Sequence, residues 1–261
     1  MLIVCLGDSI TEGLGVIRSR SSYADLLKEK LEYSFAHSIE VINFGGSALQ
    51  VNESRERYEK QILELQPDII VFAHGNTEAI VREQRKYLKF MPRRWRRPGW
   101  MDPRPYYSTR KTRRWLEKIE SGLRWRIKST LIKVFGGKQW MSLTEFQTHT
   151  TDFTKTILTH NTKTNIIILT PGHIEEKYFP GSPESMGRYT EVLQEVYELN
   201  KSANRVFICD SSQYLHKWDD YFMDRFHPNE SGHNKIAEAL MDIIIEHSLL
   251  NNNRVMKEVS I

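Results

Sequence analysis

Cysteine and long apolar runs are both scarce in this chain of 261 residues. The two cysteines, Cys5 and Cys209, each lie in a short apolar run typical of a buried strand. A disulfide framework is therefore excluded, and two reduced thiols in the core are expected. No run approaches the roughly 18 uncharged apolar residues that a membrane-spanning helix needs, and the mean hydropathy is −0.52. The histidines lack HExxH or Cys/His ligand spacing, so we expect neither a metal nor a cofactor.

A signal-peptide pattern is also absent at the N-terminus, where Met1 to Leu6 form a strand-like apolar run. We therefore expect a cytoplasmic protein, or one that is peripheral to a membrane. The hydrophobic fraction of 39% and the charged fraction of 27% are typical of a globular protein. We interpret residues 1–261 as a single domain.

Positive charge is distributed unevenly along the chain. Residues 82–128 contain 17 Lys and Arg against 4 Asp and Glu, whereas the rest of the chain contains 20 against 29. The net charge of +4 thus conceals an acidic body with one strongly basic segment. Such a local positive field favours an anionic ligand or surface.

Short apolar runs alternate with amphipathic stretches along most of the chain. The runs predict strands over residues 2–6, 39–44, 68–73, 165–170 and 205–209, and the stretches predict helices over residues 23–33, 55–65, 143–158, 184–199 and 232–247. This alternation is typical of βαβ units, which form a parallel sheet covered by helices on both faces. In such sheets the functional residues gather beyond the carboxyl ends of the strands.

Some sixty residues after the third predicted strand interrupt this alternation. We interpret residues 82–140 as an insertion with a helix over residues 112–135. The insertion holds five of the six tryptophans: Trp95, Trp100, Trp115, Trp125 and Trp140. Three- and four-residue steps along the helix define an apolar stripe of Trp115, Ile119, Leu123, Ile127, Leu131 and Val134.

Two interpretations of this basic helix are open. We expect its apolar stripe to pack on the body of the protein, with the basic face solvated. The alternative is contact with an anionic membrane or a sugar polymer, in which Trp95, Trp115 and Trp125 line the surface. Nucleic acid is unlikely as a partner because no recognisable nucleic-acid fold accompanies the patch.

Chemically capable side chains follow the first strand and precede the last helix. Gly7-Asp8-Ser9 places a serine at the entry to a helix, where free N–H groups favour a developing negative charge. Asp224-Arg225-Phe226-His227-Pro228 places a carboxylate three residues before a histidine. A histidine can take the proton of a serine hydroxyl while a carboxylate orients its ring. Taken singly, the first segment is equally well explained as a turn and helix cap, and the second is better explained as a solvated loop ended by Pro228.

Two further strand ends carry candidate hydrogen-bond donors. The Asn76 amide, in His74-Gly75-Asn76, can donate to an oxyanion, as can a backbone N–H in Asn43-Phe44-Gly45-Gly46-Ser47-Ala48. An ordinary helix cap and a tight turn are the respective alternatives. His74 is a candidate to line the site, with a structural role as its alternative.

Together these segments resemble the SGNH, or GDSL-type, hydrolase family. Gly7-Asp8-Ser9-Ile10 matches its first block, Asn43 and Gly45 its second, Gly75-Asn76 its third and Asp224-x-x-His227-Pro228 its last. The resemblance covers residues 2 to about 247 apart from the insertion. It implies a three-layer αβα fold like that of flavodoxin, with a five-stranded parallel sheet in the order 2-1-3-4-5.

The resemblance also implies roles for individual residues. Ser9 would be the nucleophile, His227 the general base and acid, and Asp224 the orienting carboxylate. Asn76 and the Ser9 N–H would form part of an oxyanion hole. The second block departs from the family pattern, with Ala48 where a glycine is usual. Its N–H remains a possible donor if its φ is negative, and Gly46 is the other candidate. The third block lacks its usual aspartate.

The expected function is that of a serine ester hydrolase. An O-acetylesterase acting on a carbohydrate or a cell-surface polysaccharide is the leading candidate. A lipid-directed esterase or thioesterase, or an O-acyltransferase at a membrane surface, is the alternative. The alternative of another class is a non-catalytic binding module that uses the basic Trp- and Arg-rich insertion.

Overall fold

A computed structural model describes residues 1–16, 22–35, 38–96 and 110–249. These ranges contain seven strands: β1 (Leu2–Gly7), β2 (Glu40–Gly45), β3 (Ile69–Ala73), β4 (Arg82–Glu83), β5 (Gly137–Lys138), β6 (Asn165–Leu169) and β7 (Val206–Cys209). Five of them form a parallel sheet in the order β2-β1-β3-β6-β7. This confirms the predicted order 2-1-3-4-5, because β4 and β5 pair only with each other.

The described helices are α1 (Ser9–Glu12), α2 (Tyr23–Ser34), α3 (Val51–Leu65), α4 (Asn76–Ala79), α5 (Arg85–Leu88), α6 (Lys111–Phe135), α7 (Leu143–His160), α8 (Ser182–Asn200), α9 (Ser211–Tyr214) and α10 (Glu230–Glu246). Short 3-10 helices cover Arg93–Trp95 and Lys201–Ala203. The longer helices lie where the apolar pattern predicted them. Their bounds differ from the predicted ones by one or two residues, except that α3 begins four residues earlier than predicted.

Two apolar clusters place the helices in layers on either side of the sheet. On one face, Ile62 of α3, Phe153 of α7 and Leu193 of α8 pack against Ile70 and Phe72 of β3. The other face holds the α2 and α10 residues Leu27, Leu31, Leu240 and Ile244, together with the free thiols Cys5 and Cys209. Covering both faces removes water from every side chain of β3, which explains its unbroken apolar sequence. The three-layer prediction is confirmed.

Side chains of the local sequence set the starts of these helices. Glu53 accepts a hydrogen bond from the Gln50 N–H at 3.1 Å, so α3 begins at Val51 and not at the predicted residue 55. Ser142 and Glu145 cap α7 reciprocally. Asn229 accepts from the Gly232 N–H and so starts α10. Each contact satisfies an N–H that the first helical turn leaves unpaired.

A two-residue antiparallel ribbon closes the insertion at its base. Arg82 of β4 pairs with Lys138 of β5, and Glu83 pairs with Gly137. The ribbon lies close to the predicted limits of 82 and 140. Inside the insertion, Lys128 Nζ of α6 lies 2.6 Å from Glu83 Oε1 of β4, and both side chains are buried. Burial lowers the pKa of Lys128, and the neighbouring Glu83 carboxylate opposes that shift.

The predicted packing of α6 is wrong for the N-terminal half of its apolar stripe. There Trp115, Ile119 and Leu123 face outward and are 63%, 52% and 49% exposed, whereas Ile127 and Leu131 are partly buried. The buried side of the helix consists of Ser121, Lys128, Ser129 and Ile132. The ion pair of Lys128 with Glu83 sets this rotation, together with a hydrogen bond of 2.7 Å from Trp125 Nε1 to the Tyr178 carbonyl. Trp100 lies outside the described residues.

No helix within the described ranges has both the length and the apolar content to cross a bilayer.

Replacing Glu83 with alanine should destabilise the protein because Lys128 would keep a buried, unpaired charge. Removal of one partner of a buried pair costs about 3–5 kcal/mol, which corresponds to a fall in Tm on the order of 10 °C. The change in Tm is measured by thermal unfolding followed by circular dichroism. Glu64→Ala is the matched control, since it breaks the exposed Lys60–Glu64 pair and should leave Tm unchanged. Equal Tm values for the two variants would contradict the assignment.

Candidate active site

The carboxyl end of β1 delivers Ser9 to the functional edge of the sheet. Asp8 caps α1, with its Oδ1 accepting the Ile10 N–H at 2.9 Å. The cap starts the helix at Ser9, so the serine hydroxyl lies at a helix entry as the sequence predicted. His227 comes from the loop before α10 and meets Ser9 across 218 residues of sequence.

Ser9, His227 and Asp224 form a continuous hydrogen-bonded chain. Ser9 Oγ lies 2.9 Å from His227 Nε2, and His227 Nδ1 lies 2.6 Å from Asp224 Oδ2. The other Asp224 oxygen, Oδ1, accepts the N–H groups of Phe226 and His227, each at 3.0 Å. The side chains of Ser9, His227 and Asp224 are all buried. In this arrangement the ring can take a proton from the serine while the carboxylate holds its tautomer.

The loop that carries Asp224 and His227 contains strained backbone. Arg225 has a φ of 62°, in the left-handed region that non-glycine residues rarely adopt. Its guanidinium carbon lies 3.9 Å from the ring centre of Trp218, which itself has a φ of 77°. This cation–π contact holds the Arg225 side chain against Trp218.

Asp8 also ties the Ser9 segment to the end of β3. Its second oxygen, Oδ2, accepts hydrogen bonds from Thr77 N at 3.1 Å and Thr77 Oγ1 at 2.9 Å. Burial raises the pKa of Asp8, against the effect of these donors. Thr77 occupies the position where the family pattern has an aspartate, and it supplies two donors to Asp8. The sequence pattern indicated a helix cap for this segment but not the contact of Asp8 with Thr77.

Glu78 is a second buried carboxylate that the sequence analysis missed. It accepts the Val51 N–H at 2.7 Å and the Gly75 N–H at 2.9 Å, which joins the segments after β2 and β3. Burial favours its neutral form, but contact with His74 and the backbone donors outweighs this, so the pKa of Glu78 is lowered. The spacing of His74 and Glu78, four residues apart, was the available sequence signal.

His74 does not line the site. It is fully buried, with Nδ1 3.3 Å from Glu78 Oε1 and its ring packed against Phe72. These contacts indicate a structural role for His74, which was the alternative to lining the site.

The segment after β2 distinguishes the two candidate backbone donors. A Cβ on Gly45 would lie 2.2 Å from Glu12 N, so this segment approaches α1 as closely as glycine allows. The Gly46 N–H donates to the Gly7 carbonyl at 3.2 Å, so Gly46 is not available as an oxyanion donor. Ala48 has a φ of 59°, so the negative φ on which its candidacy as a donor depended is not present. It keeps the left-handed conformation typical of glycine.

Asn76 begins α4 and borders a small cavity that neither Ser9 nor His227 lines. Ile10, Phe226 and Pro228, which adjoin Ser9 and His227 in sequence, border the same cavity. The rest of its wall is largely apolar and includes Leu169, Met186, Leu215, Tyr221 and Ile236. The cavity volume is about 20 Å³, enough for one or two water-sized groups.

The tryptophans of the insertion occupy different environments. Trp95 Nε1 donates to Glu120 at 2.5 Å, and Trp115 is exposed. Trp125 is half-buried, and its ring meets Tyr178, whose ring in turn meets Trp218 beside Arg225. Of the predicted surface residues, Trp125 therefore contacts the body of the protein, while Trp115 faces outward.

No group of three or more His, Cys, Asp or Glu side chains among the described residues is arranged to hold a metal ion.

Comparison with protein families gives a match over residues 5–235 to the model described as the GDSL-like Lipase/Acylhydrolase family. The chain belongs to this family. Membership supports a carboxylic ester hydrolase, and the resemblance inferred from the sequence blocks is confirmed. Comparison with curated protein sequences gives no match.

Solved structures similar to this GDSL-like hydrolase share its fold at low identity. A lipase/acylhydrolase from Enterococcus faecalis is 16% identical with a TM-score of 0.61, over 97% of this chain and 99% of that one. An acetylxylan esterase from Geobacillus stearothermophilus is 19% identical with a TM-score of 0.58, over 93% of both chains. A family 3 carbohydrate esterase from Clostridium thermocellum is 16% identical with a TM-score of 0.59, over 94% of this chain and 96% of that one.

His233 joins α10 to the segment that follows Ser9. Its Nδ1 accepts the Tyr23 N–H at 3.1 Å, and its Nε2 lies 3.4 Å from the Leu14 carbonyl. Gly15, next along the chain, lies so close to the loop before α10 that a Cβ there would be 2.0 Å from the Pro228 carbonyl oxygen. Burial lowers the pKa of His233 to about 4. The neutral ring thus holds the Ser9 and His227 segments together.

The pH dependence of stability should report on His233. Between pH 6.5 and 4 the unfolded chain protonates this residue and the folded chain does not, so stability falls as the pH decreases. The loss attributable to His233 is about 3 kcal/mol at most. His233→Asn keeps an acceptor for Tyr23 without a titrating ring, and urea unfolding at pH 7 and pH 4 should show a smaller loss. His160→Asn, at an exposed site, should behave as the wild type.

Proposed function

We propose that the protein is a serine esterase in which Ser9 is the nucleophile, His227 the general base and acid, and Asp224 the orienting carboxylate. The observation that carries the proposal is the chain of contacts at 2.9 Å and 2.6 Å from Ser9 Oγ through His227 to Asp224. Membership of the GDSL-like family over residues 5–235 supports it.

In the first half of the reaction, Ser9 Oγ attacks the ester carbonyl carbon as its proton passes to His227 Nε2. The carbonyl oxygen gains the negative charge, and the Asn76 amide and the Ser9 backbone N–H stabilise it. Collapse of the intermediate breaks the ester bond, and the protonated ring gives its proton to the leaving alcohol.

In the second half, water attacks the acyl-serine. His227 Nε2 takes a proton from the water, the same donors stabilise the second oxyanion, and the proton returns to Ser9 Oγ as the acid leaves. Asp224 stays ionised and stabilises the imidazolium in both halves. If an alcohol replaces water, the same steps transfer the acyl group, so an O-acyltransferase is a close chemical neighbour.

We propose that the acyl group is short, with acetyl as the best candidate. The apolar cavity beside Ile10 and Asn76 has a volume of about 20 Å³, which suits a group the size of a methyl. This favours an O-acetylesterase over an esterase or thioesterase that takes long acyl chains.

We propose a carbohydrate or a cell-surface polysaccharide as the alcohol part of the ester. Two structural neighbours are described as an acetylxylan esterase and a carbohydrate esterase, which supports this class by analogy of fold. A cytoplasmic location and a single domain over residues 1–261 remain predictions from the sequence.

Covalent labelling tests the role of Ser9. The wild type should react with a fluorophosphonate probe and release acetate from p-nitrophenyl acetate and from an acetylated polysaccharide. Ser9→Ala and His227→Ala should lower kcat by about 10⁴ or more, and Asn76→Ala by about 10² to 10³. Ser212→Ala changes an exposed serine after β7 and is the control. A folded wild type that neither labels nor turns over would favour a binding module.

Chain-length preference tests the acyl cavity. Wild-type kcat/KM should fall at least tenfold from p-nitrophenyl acetate to the octanoate, because the cavity cannot hold the longer chain. Met186→Ala enlarges the cavity wall and should reduce that ratio. Met141→Ala removes an equally buried methionine that does not line the cavity, so the ratio should not change. Equal rates with both esters in the wild type would refute the short-acyl proposal.

A further inference from the structure

We infer that the outer face of α6 is a docking surface for an anionic lipid bilayer. Trp115, Leu116, Ile119 and Leu123 are between 49% and 63% exposed, although each is large and apolar. At about 100° per residue they occupy one side of the helix along its N-terminal half. These four residues are called the outer apolar face below.

The helix that carries the outer apolar face is also rich in exposed basic side chains. Lys111, Arg113, Arg114, Lys118 and Arg126 are exposed on the same helix. Residues 82–128 as a whole carry 17 basic and 4 acidic side chains, whereas the rest of the chain is acidic. This charge distribution orients the protein with α6 towards a negative surface. A helix with this combination lies in the plane of the membrane interface, with its apolar side chains among the lipid headgroups.

The inner side of the helix holds the outer apolar face towards solvent. Lys128 is paired with Glu83 in the interior, and Trp125 donates to the Tyr178 carbonyl. Rotating α6 to bury Trp115 would bring Lys128 into water and leave the buried Glu83 unpaired, which is strongly unfavourable. The exposure of the apolar side chains therefore follows from fixed contacts and does not reflect loose packing.

The chemistry of the outer apolar face favours lipid over other anionic partners. Arginine and tryptophan would suit an acidic sugar polymer or a nucleic acid, but Leu116, Ile119 and Leu123 have no role on either. Aliphatic side chains gain free energy in an acyl-chain environment. A second copy of this chain is disfavoured because a symmetric contact would bring two strongly basic segments together.

Vesicle binding tests the inference on the full-length protein. Co-sedimentation is measured with vesicles of phosphatidylcholine alone and with vesicles containing 30% phosphatidylglycerol, at low and at 0.5 M salt. Trp115→Ser combined with Ile119→Ser removes apolar contacts. Its control is Tyr33→Ser combined with Leu199→Ser, which removes exposed apolar side chains at the ends of α2 and α8.

A second pair of variants separates local from overall charge. Arg113→Gln, Arg114→Gln and Lys118→Gln together lower the charge of α6. The control combines Lys60→Gln, Lys155→Gln and Lys163→Gln, which lowers the net charge equally at exposed positions outside the insertion. Ser9→Ala is included so that vesicle binding is judged separately from esterase activity.

The wild type and Ser9→Ala should bind the anionic vesicles at least tenfold more tightly than the neutral ones, and 0.5 M salt should weaken that binding. The α6 charge variant should lose about 100-fold in affinity and the apolar variant at least tenfold, with both controls within twofold of the wild type. Equal binding to both vesicle types would overturn the inference. Equal losses in variants and controls would also overturn it. Self-association of the wild type that the apolar variant abolishes, with no binding to either vesicle type, would overturn the inference as well.

Discussion

Parallel pairing of β1 with both β2 and β3 is the constraint on which the functional edge depends. Gly7 at the end of β1 lies opposite Gly45 of β2 and Ala73 of β3, so three strands stop at the same level. The segments that follow them must then share one edge. Two buried carboxylates join these segments: Asp8 binds Thr77, and Glu78 binds the N–H groups of Val51 and Gly75. Each satisfies N–H groups that would be costly to bury unpaired.

These carboxylates also make the site rigid before any substrate arrives. The position of Asn76 relative to Ser9 is set by backbone groups bound to Asp8 and Glu78, and not by contacts of the Asn76 side chain itself. His227 is fixed independently from the far end of the chain by Asp224 and by the strained turn at Arg225. Catalysis by stabilisation of charge requires donors that are in place beforehand, which such a frame provides.

The alternation of apolar runs was sufficient to predict the sheet, its order and the main helices, because both faces of every central strand are buried. Ser9, Asp224, His227 and Asn76 were selected as candidates from their positions after strands or before the last helix and from family blocks. The left-handed φ of Ala48 and the bond from Gly46 to Gly7 were not predictable, since they depend on how two loops meet. The burial of His74 against Glu78 likewise depends on contacts that only the folded chain creates.

Helix α6 shows why periodicity alone does not decide orientation. The pattern identifies an apolar side, but Lys128 lies on the opposite side and pairs with a carboxylate that β4 supplies. The ion pair acts together with the hydrogen bond from Trp125 to the Tyr178 carbonyl, and both would be lost if the helix turned to bury its apolar side. Two partners elsewhere in the chain thus reverse the expected packing of the N-terminal half of the helix.

The β4–β5 ribbon has a consequence for how the fold tolerates variation in length. Glu83 and Gly137 are neighbours across this ribbon, so the two ends of the insertion leave and rejoin the body side by side. The central sheet is therefore connected as though a short hairpin stood between α4 and α7. Closing a longer loop adds little entropy cost when its ends are already held together. Segments of very different size and surface can be exchanged at this point while the register of β3 and β6 is preserved, and with it the framework around Ser9.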